Sequence, residues 1–120
     1  MKRLYFKPNT DVIKEGDLGD CAYIVEAGSL EVSKINNQNN KQVLGQLKEN
    51  DIFGELGLID GLPRSATVTA LEDCTIKVLT KDSFNSLAKN RPEALMPIFK
   101  VLASRLRSTL KQVIGVPNHG

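Results

Sequence analysis

The spacing of apolar residues changes near Thr80, and this change constrains the fold more than any other feature of the sequence. Before it, apolar and polar residues alternate in short runs, as in Tyr23–Val25 and Leu30–Val32. This is the period of a strand with one buried face. Glycine, asparagine and aspartate interrupt the runs, as expected for tight turns between antiparallel strands. After Thr80 the apolar residues recur every three or four positions, which predicts helices.

Two helices are predicted in the last third of the chain. The first begins after Thr80, which can cap it, and ends before Pro92. The second carries an apolar stripe, and Pro97 within it is expected to delay or kink the start of the helix. Gly115 and Pro117 are expected to end it. The members of the stripe are Leu95, Phe99, Leu102, Leu106, Leu110 and Val113.

We therefore predict a mainly β fold with α-helices: an antiparallel, jelly-roll-like β-roll over residues 3–80, followed by two C-terminal helices over residues 81–115. A chain of 120 residues suits one domain, so residues 1–120 are assigned to a single domain. Only Met1–Phe6 precede the first expected strand. The sequence has no run of about 18 apolar residues, so no membrane span is expected. The net charge of +2 is too small to indicate nucleic acid or an anionic membrane as a partner.

The histidine and cysteine counts limit the chemistry that this chain can perform. Its one histidine, His119, is too few for a His-rich metal site, such as that of a cupin-type β-barrel enzyme. It also disfavours Ser-His and Cys-His nucleophilic pairs, so we predict no metal and no enzyme activity. The two cysteines, Cys21 and Cys74, are interpreted as small, half-buried strand residues in a reducing compartment. This interpretation favours a cytoplasmic protein.

The segment of residues 53–68 has the composition of a binding site for a phosphate ester. Gly54 and Gly57 lack a Cβ, so the backbone can approach a ligand closely. The residues after Gly54 can form one helical turn, whose free N–H groups attract an anion. The planar guanidinium of Arg64 can hold a phosphate by two parallel hydrogen bonds. An ionised Glu55 only accepts hydrogen bonds, which suits a sugar hydroxyl. The set matches the phosphate and ribose of a nucleotide.

This segment closely resembles the phosphate-binding cassette of the cyclic-nucleotide-binding domain family. The shared elements are Phe-Gly-Glu-Leu at 53–56, a variable loop, then Arg-Ser-Ala at 64–66 and a strand. Residues 12–20 and 23–32 resemble the first half of the same domain. The resemblance implies a β-roll with the cassette inside it. Family members usually carry a helix before the first strand, so the chain is expected to be a minimal module or a segment of a longer protein.

The resemblance also implies a regulatory module that binds a cyclic purine mononucleotide and needs no cofactor. Cyclic AMP is the preferred ligand and cyclic GMP the alternative, because relatives that prefer cyclic GMP often carry Thr in place of Ser65. The C-terminal helix is expected to act as a lid and signal element. Three roles of its apolar stripe stay open and are compatible: packing on the roll, closing over a bound base, and pairing with a second copy in a homodimer. Thr109 aligns with a residue that meets the purine in bacterial activators. The implied ligand-binding residues are Gly54, Glu55, Leu56, Arg64, Ser65, Ala66 and Thr109.

Two other functions stay open at this point. The chain could be an interaction domain that keeps the fold without the ligand, although the intact Arg64 and Glu55 argue against this. It could also be the sensor fragment of a larger enzyme or transcription regulator. No helix-turn-helix follows the last helix, so the chain alone is expected to bind no nucleic acid. No membrane partner is expected either.

Overall fold

The computed structural model describes the backbone of residues 1–114 and the side chains of residues 1–111. It divides into two compact units, of which the first ends at Lys81 and the second begins at Asp82. This boundary lies next to the change of period that the sequence shows at Thr80. The assignment of the chain to a single domain stays a prediction. Four sequence expectations lie outside the described residues, namely those for the Val113 side chain, Gly115, Pro117 and His119.

The first unit consists of antiparallel strands and one short helix. The strands are β1 (Lys2–Phe6), β2 (Asp11–Ile13), β3 (Ala22–Ala27), β4 (Leu30–Ile35), β5 (Lys41–Leu47), β6 (Ile52–Phe53), β7 (Thr67–Ala70) and β8 (Cys74–Leu79). The helix, α1 (Glu55–Asp60), lies between β6 and β7. The strands form two four-stranded sheets with the orders β1-β8-β3-β6 and β2-β7-β4-β5. The predicted mainly β, antiparallel fold is confirmed.

Strand β1 is a difference from the sequence prediction. Met1–Phe6 were expected to precede the first strand, whereas Lys2–Phe6 pair with β8, from Lys2 opposite Val78 to Phe6 opposite Cys74. The expectation was wrong because the alternation in this run is weak: none of its side chains is fully buried. Its strand conformation comes from hydrogen bonds to β8, which is distant in sequence.

The core of the first unit follows the predicted alternation. Val25, Leu30 and Ile76 have no exposed surface, and each belongs to a run whose neighbours face outward. The cysteines are both free. Cys74 lies in strand β8 as interpreted, but it is fully buried and not half-buried. Cys21 is half-buried as interpreted, but it lies just before β3 and outside the strand. The buried core cluster is Ile13, Val25, Leu30, Leu47, Phe53, Val68, Ala70, Cys74 and Ile76.

Left-handed backbone occurs at the turns where the sequence has glycine or asparagine. Gly28 joins β3 to β4 with φ 97°, and Asn39 and Asn50 have φ 63° and φ 75°. Asparagine is among the residues that best tolerate this region, so the predicted turns at 36–41 and at Asn50 are confirmed.

The second unit contains the predicted helices. Helix α2 (Lys81–Asn90) begins directly after Thr80, and a 3₁₀ turn (Pro92–Leu95) follows with its proline at the start. Helix α3 (Met96–Ile114) has Pro97 in its first turn, so this proline delays the helix as predicted. Among the described residues, no helix combines the length and hydropathy that a bilayer span requires.

Gly28 provides a test of the turn between β3 and β4. A Cβ at this position would lie 2.6 Å from the Asp73 carbonyl oxygen and 2.7 Å from the Cys74 Sγ atom, in addition to the strain at positive φ. We expect Gly28→Ala to lower the free energy of unfolding by about 2 kcal/mol or more, measured by urea denaturation. Gly45→Ala is the matched control, because its Cβ would meet nothing within 4 Å, and it should change stability by less than about 0.5 kcal/mol. Equal stability of the two variants would contradict this account.

Candidate functional site

The backbone of Arg64 is tied to the loop between β2 and β3. The Arg64 N–H donates to the Asp17 carbonyl oxygen at 2.8 Å, and the Gly16 N–H donates to the Arg64 carbonyl oxygen at 2.8 Å. A third bond runs from the Glu15 N–H to the Thr67 hydroxyl oxygen at 3.0 Å. These bonds bring together two loops that are far apart in sequence, and they aim the Arg64 side chain toward α1.

The guanidinium of Arg64 lies inside the first unit, where two backbone carbonyl groups hold it. Its Nη1 atom donates to the Gly54 carbonyl oxygen and its Nη2 atom to the Cys21 carbonyl oxygen, each at 2.9 Å. Only 8% of the residue is exposed. Hydrogen bonds from a charged donor contribute roughly 1.5–3 kcal/mol each, so the guanidinium has a defined orientation.

An aromatic ring forms one wall of this guanidinium position. The Arg64 Cζ atom lies 5.8 Å from the centroid of the Tyr23 ring, within the range of a cation–π interaction. The Tyr23 ring in turn stacks on Phe53, with 5.2 Å between centroids. Because Tyr23 is opposite Phe53 in the pairing of β3 with β6, the sheet itself positions this wall.

The two groups that hold the Arg64 guanidinium are neutral carbonyl groups. The ion pairs found among the described residues join other residues, namely Arg3 with Glu26, Lys7 with Asp73, Lys41 with Glu31 and Arg91 with Glu93. Carbonyl dipoles solvate a buried cation only in part, and an uncompensated buried charge is costly. A guanidinium has five N–H donors, and the two carbonyl groups use two of them. The arrangement therefore suits a small anion.

Gly54 sets the path of the chain between β6 and α1. It adopts the left-handed conformation with φ 76° and is the N-cap residue of the helix. Most other residues would be strained there, so the glycine is needed by the backbone as well as by the site. The predicted helical turn after Gly54 is confirmed, and it extends to Asp60.

Glu55 opens α1 and has no exposed surface. A carboxylate in the first turn is stabilised by the partial positive charge of the helix N-terminus. When ionised it can only accept hydrogen bonds. It directly follows Gly54, whose carbonyl oxygen accepts a hydrogen bond from Arg64, so this buried acceptor is one residue along the chain from a contact of the guanidinium.

The other four predicted site residues differ in their exposure and in the unit to which they belong. Leu56, which follows Glu55, and Ser65, which follows Arg64, are exposed, and Ala66 is half-buried. Thr109 belongs to the second unit, where its hydroxyl donates to the Arg105 carbonyl oxygen at 3.0 Å. The ligand contacts of these four residues stay predictions.

Sequence reasoning missed the roles of Cys21 and Tyr23. Cys21 was interpreted as a structural residue and Tyr23 as part of a strand, whereas a carbonyl group of the first and the ring of the second surround Arg64. Cys21 is separated from Arg64 by 43 positions, and a backbone carbonyl leaves no trace in residue type. An aromatic residue at the start of β3 was the one available signal.

The phenol of Tyr23 is perturbed by this environment. Burial raises the pKa of Tyr23 from 10.0 to about 12, and the interaction with the Cys21 side chain, whose Sγ atom lies 3.2 Å from the Tyr23 hydroxyl oxygen, acts in the same direction. The Arg64 charge acts in the opposite direction, since it favours the phenolate. The phenol is therefore neutral throughout the physiological range.

Comparison with known proteins gives a consistent set of relatives. Residues 3–91 match the family described as the cyclic nucleotide-binding domain. A cAMP-dependent protein kinase regulatory subunit from Yarrowia lipolytica is 44% identical over 81 residues, which are 68% of this chain and 21% of that protein. The chain spans only 16–21% of the length of this and two other fungal regulatory subunits that it matches.

Solved structures share the fold. The catabolite activator protein of Thermus thermophilus superposes with a TM-score of 0.89 at 26% identity, over 93% of this chain and 53% of that one. The regulatory domain of Toxoplasma gondii PKA, crystallised with cAMP, has a TM-score of 0.67 at 38% identity, over 71% of this chain and 32% of that one.

The Tyr23 pKa predicts a pH dependence of stability. Because the folded state raises this pKa, it favours the neutral phenol, and the resulting stability is present below the unfolded pKa of about 10 and lost as the pH rises through about 12. We expect the free energy of unfolding to fall less for Tyr23→Phe than for the unmodified chain between about pH 9 and pH 11.5. Urea denaturation at both pH values measures this difference. Parallel losses in the two proteins would show that Tyr23 does not titrate as described.

Proposed function

The chain belongs to the cyclic nucleotide-binding domain family, and on this premise we propose that its first unit binds a cyclic purine mononucleotide, cyclic AMP in preference to cyclic GMP. The ligand acts as a regulatory signal and is not chemically changed. Two relatives support the choice of ligand: one is a cAMP-dependent protein kinase regulatory subunit, and the other was crystallised with cAMP.

The observation that carries this proposal is the buried guanidinium of Arg64. It has 8% exposure and two carbonyl partners, and none of the ion pairs among the described residues includes it. A cyclic phosphate supplies a single negative charge and two exocyclic oxygens, which match the planar fork of an arginine. The carbonyl bonds to Gly54 and Cys21 hold the fork in place before the ligand arrives, so little ordering is required on binding.

Glu55 is proposed to accept a hydrogen bond from the ribose 2′-hydroxyl. The support is its complete burial next to Gly54 and the acceptor-only chemistry of a carboxylate. Ser65 and Ala66 would contact the phosphate from the other side of Arg64. The preference for adenine follows from Ser65, which stands where relatives that prefer cyclic GMP often have threonine.

The second unit is proposed to transmit the signal. In this proposal Thr109 meets the purine, and α3 acts as a lid whose state depends on the ligand, or as the seam of a homodimer. The module is proposed to be non-catalytic and cytoplasmic. The chain spans about a fifth of the length of its fungal relatives. The proposal therefore includes an output domain or a partner enzyme that the module regulates.

Replacement of Arg64 tests the phosphate contact. We expect Arg64→Leu to weaken cyclic AMP binding by about two to three decades, because the ligand anion would be buried without a cation. Isothermal titration calorimetry measures the affinity, and thermal unfolding establishes that the variant is folded. Arg3→Leu is the matched control, because Arg3 is half exposed in β1 and pairs with Glu26 at the surface. An unchanged affinity in folded Arg64→Leu would reject the proposed role.

The Glu55 contact is tested with a ligand that lacks one hydroxyl. We expect 2′-deoxy cyclic AMP to bind the unmodified chain more weakly than cyclic AMP by about 1–3 kcal/mol, the cost of an unmet acceptor. Glu55→Gln should narrow the gap between the two ligands, whereas Glu49→Gln, at an exposed position, should leave it unchanged. Equal affinity of both ligands for the unmodified chain would assign Glu55 another role.

The same titrations distinguish the proposed function from the competing one, an interaction domain that has lost its ligand. That function predicts no binding of cyclic AMP or cyclic GMP by the unmodified chain. An interaction domain without a ligand would also give no account of the buried Arg64 charge, which is costly to bury when no anion binds.

A further inference from the structure

Glycines surround the guanidinium of Arg64 on the sides that the Tyr23 ring does not cover. A Cβ built on Gly19, Gly54 or Gly57 would lie within 2.5–3.0 Å of a guanidinium nitrogen in each case. We call the space between these three glycines and the Tyr23 ring the guanidinium slot.

Gly19 and Gly54 exclude a side chain for different physical reasons. Gly54 has φ 76°, which alone favours glycine, whereas Gly19 is not among the residues with positive φ. Its φ therefore does not by itself require glycine. What excludes a side chain is space, because a Cβ on Gly19 would lie 2.5 Å from the Arg64 Nη2 atom and 2.8 Å from Nε.

Gly19 also differs from Gly57 in what a side chain would displace. A Cβ on Gly57 would meet the Arg64 Nη1 atom at 2.7 Å and the Gly19 carbonyl oxygen at 2.8 Å, so backbone would have to move. The three nearest atoms to a Cβ on Gly19 all belong to the end of the Arg64 side chain. That end is flexible, so the fold can accommodate alanine at 19 by moving the guanidinium.

We propose that Gly19 is a positioning residue for anion binding, because the absence of its side chain creates the space in which the Arg64 guanidinium lies. This inference rests on the proposed function of Arg64. With alanine at position 19, the Nη2 atom moves away from the Cys21 carbonyl oxygen, and the guanidinium leaves the guanidinium slot. The arginine is then still present, but it no longer presents two parallel donors to a phosphate.

The first experiment compares affinity with stability in one variant. We expect Gly19→Ala to weaken cyclic AMP binding about tenfold or more, the value of one charged hydrogen bond. Its urea unfolding should stay a single cooperative transition, with stability lowered by no more than about 1.5–3 kcal/mol, the value of the one charged hydrogen bond that is lost. Gly45→Ala, whose Cβ meets nothing within 4 Å, should change neither quantity. An unchanged affinity in Gly19→Ala would overturn the proposal, as would a loss of affinity that is accompanied by unfolding.

A double-mutant comparison shows whether Gly19 acts through Arg64. Lysine has a single ammonium in place of the Nε and Nη2 atoms that a Cβ at 19 would meet. We therefore expect Gly19→Ala to weaken binding by about twofold or less in an Arg64→Lys background. A loss of the same size in both backgrounds would mean that Gly19 acts independently of the guanidinium, and the inference would be wrong.

A ligand-free measurement separates this inference from the proposed function. The guanidinium N–H resonances of Arg64, identified by their loss in Arg64→Lys, should be resolved and slow to exchange in the unmodified chain. We expect them to be averaged in Gly19→Ala, because the group leaves its slot. If the unmodified chain binds no cyclic nucleotide, the proposed function is wrong, but these resonances still test whether Gly19 positions the guanidinium. Identical Arg64 signals in the unmodified chain and in Gly19→Ala would reject that positioning role.

Discussion

The structure of the site depends on a buried guanidinium that two backbone carbonyl groups hold in place. Arg64 donates to the Gly54 and Cys21 carbonyl oxygens, and no ion pair among the described residues includes it. Carbonyl oxygens can orient a cation but cannot neutralise it, so the guanidinium keeps its charge in a region of low dielectric. This charge and the remaining N–H donors suit an anion, and the bonds to the two carbonyl groups fix the orientation in which the donors are presented.

The β-roll serves this arrangement by bringing three chain segments together. The loop before β3 supplies Gly19 and the Cys21 carbonyl, the turn after β6 supplies Gly54, and the loop before β7 supplies Arg64 itself. Backbone bonds between Arg64 and the pair Gly16 and Asp17 fix the first and third segments relative to each other. Sites built on segments that a sheet holds are pre-organised, so binding energy is not spent on ordering them.

The distribution of chemistry between the two units is consistent with a sensor. In the first unit the buried polar residues Glu55 and Arg64 adjoin the turn at Gly54. The second unit is helical and carries a mainly apolar stripe, whose members Leu106 and Leu110 are exposed. The relatives that the chain matches are much longer than the chain itself.

The sequence by itself determined the features that depend on near neighbours. The alternation of β3 and β4, the asparagine turns, the helix after Thr80 and the cassette with Glu55 and Arg64 were all predicted, because each needs only residues a few positions apart. The tertiary structure decided what distant segments do to each other. It made a strand of Lys2–Phe6 by pairing it with β8, and it placed the Cys21 carbonyl and the Tyr23 ring against Arg64. These contacts join residues 40 or more positions apart through backbone groups and ring faces, which no local pattern of residue types encodes.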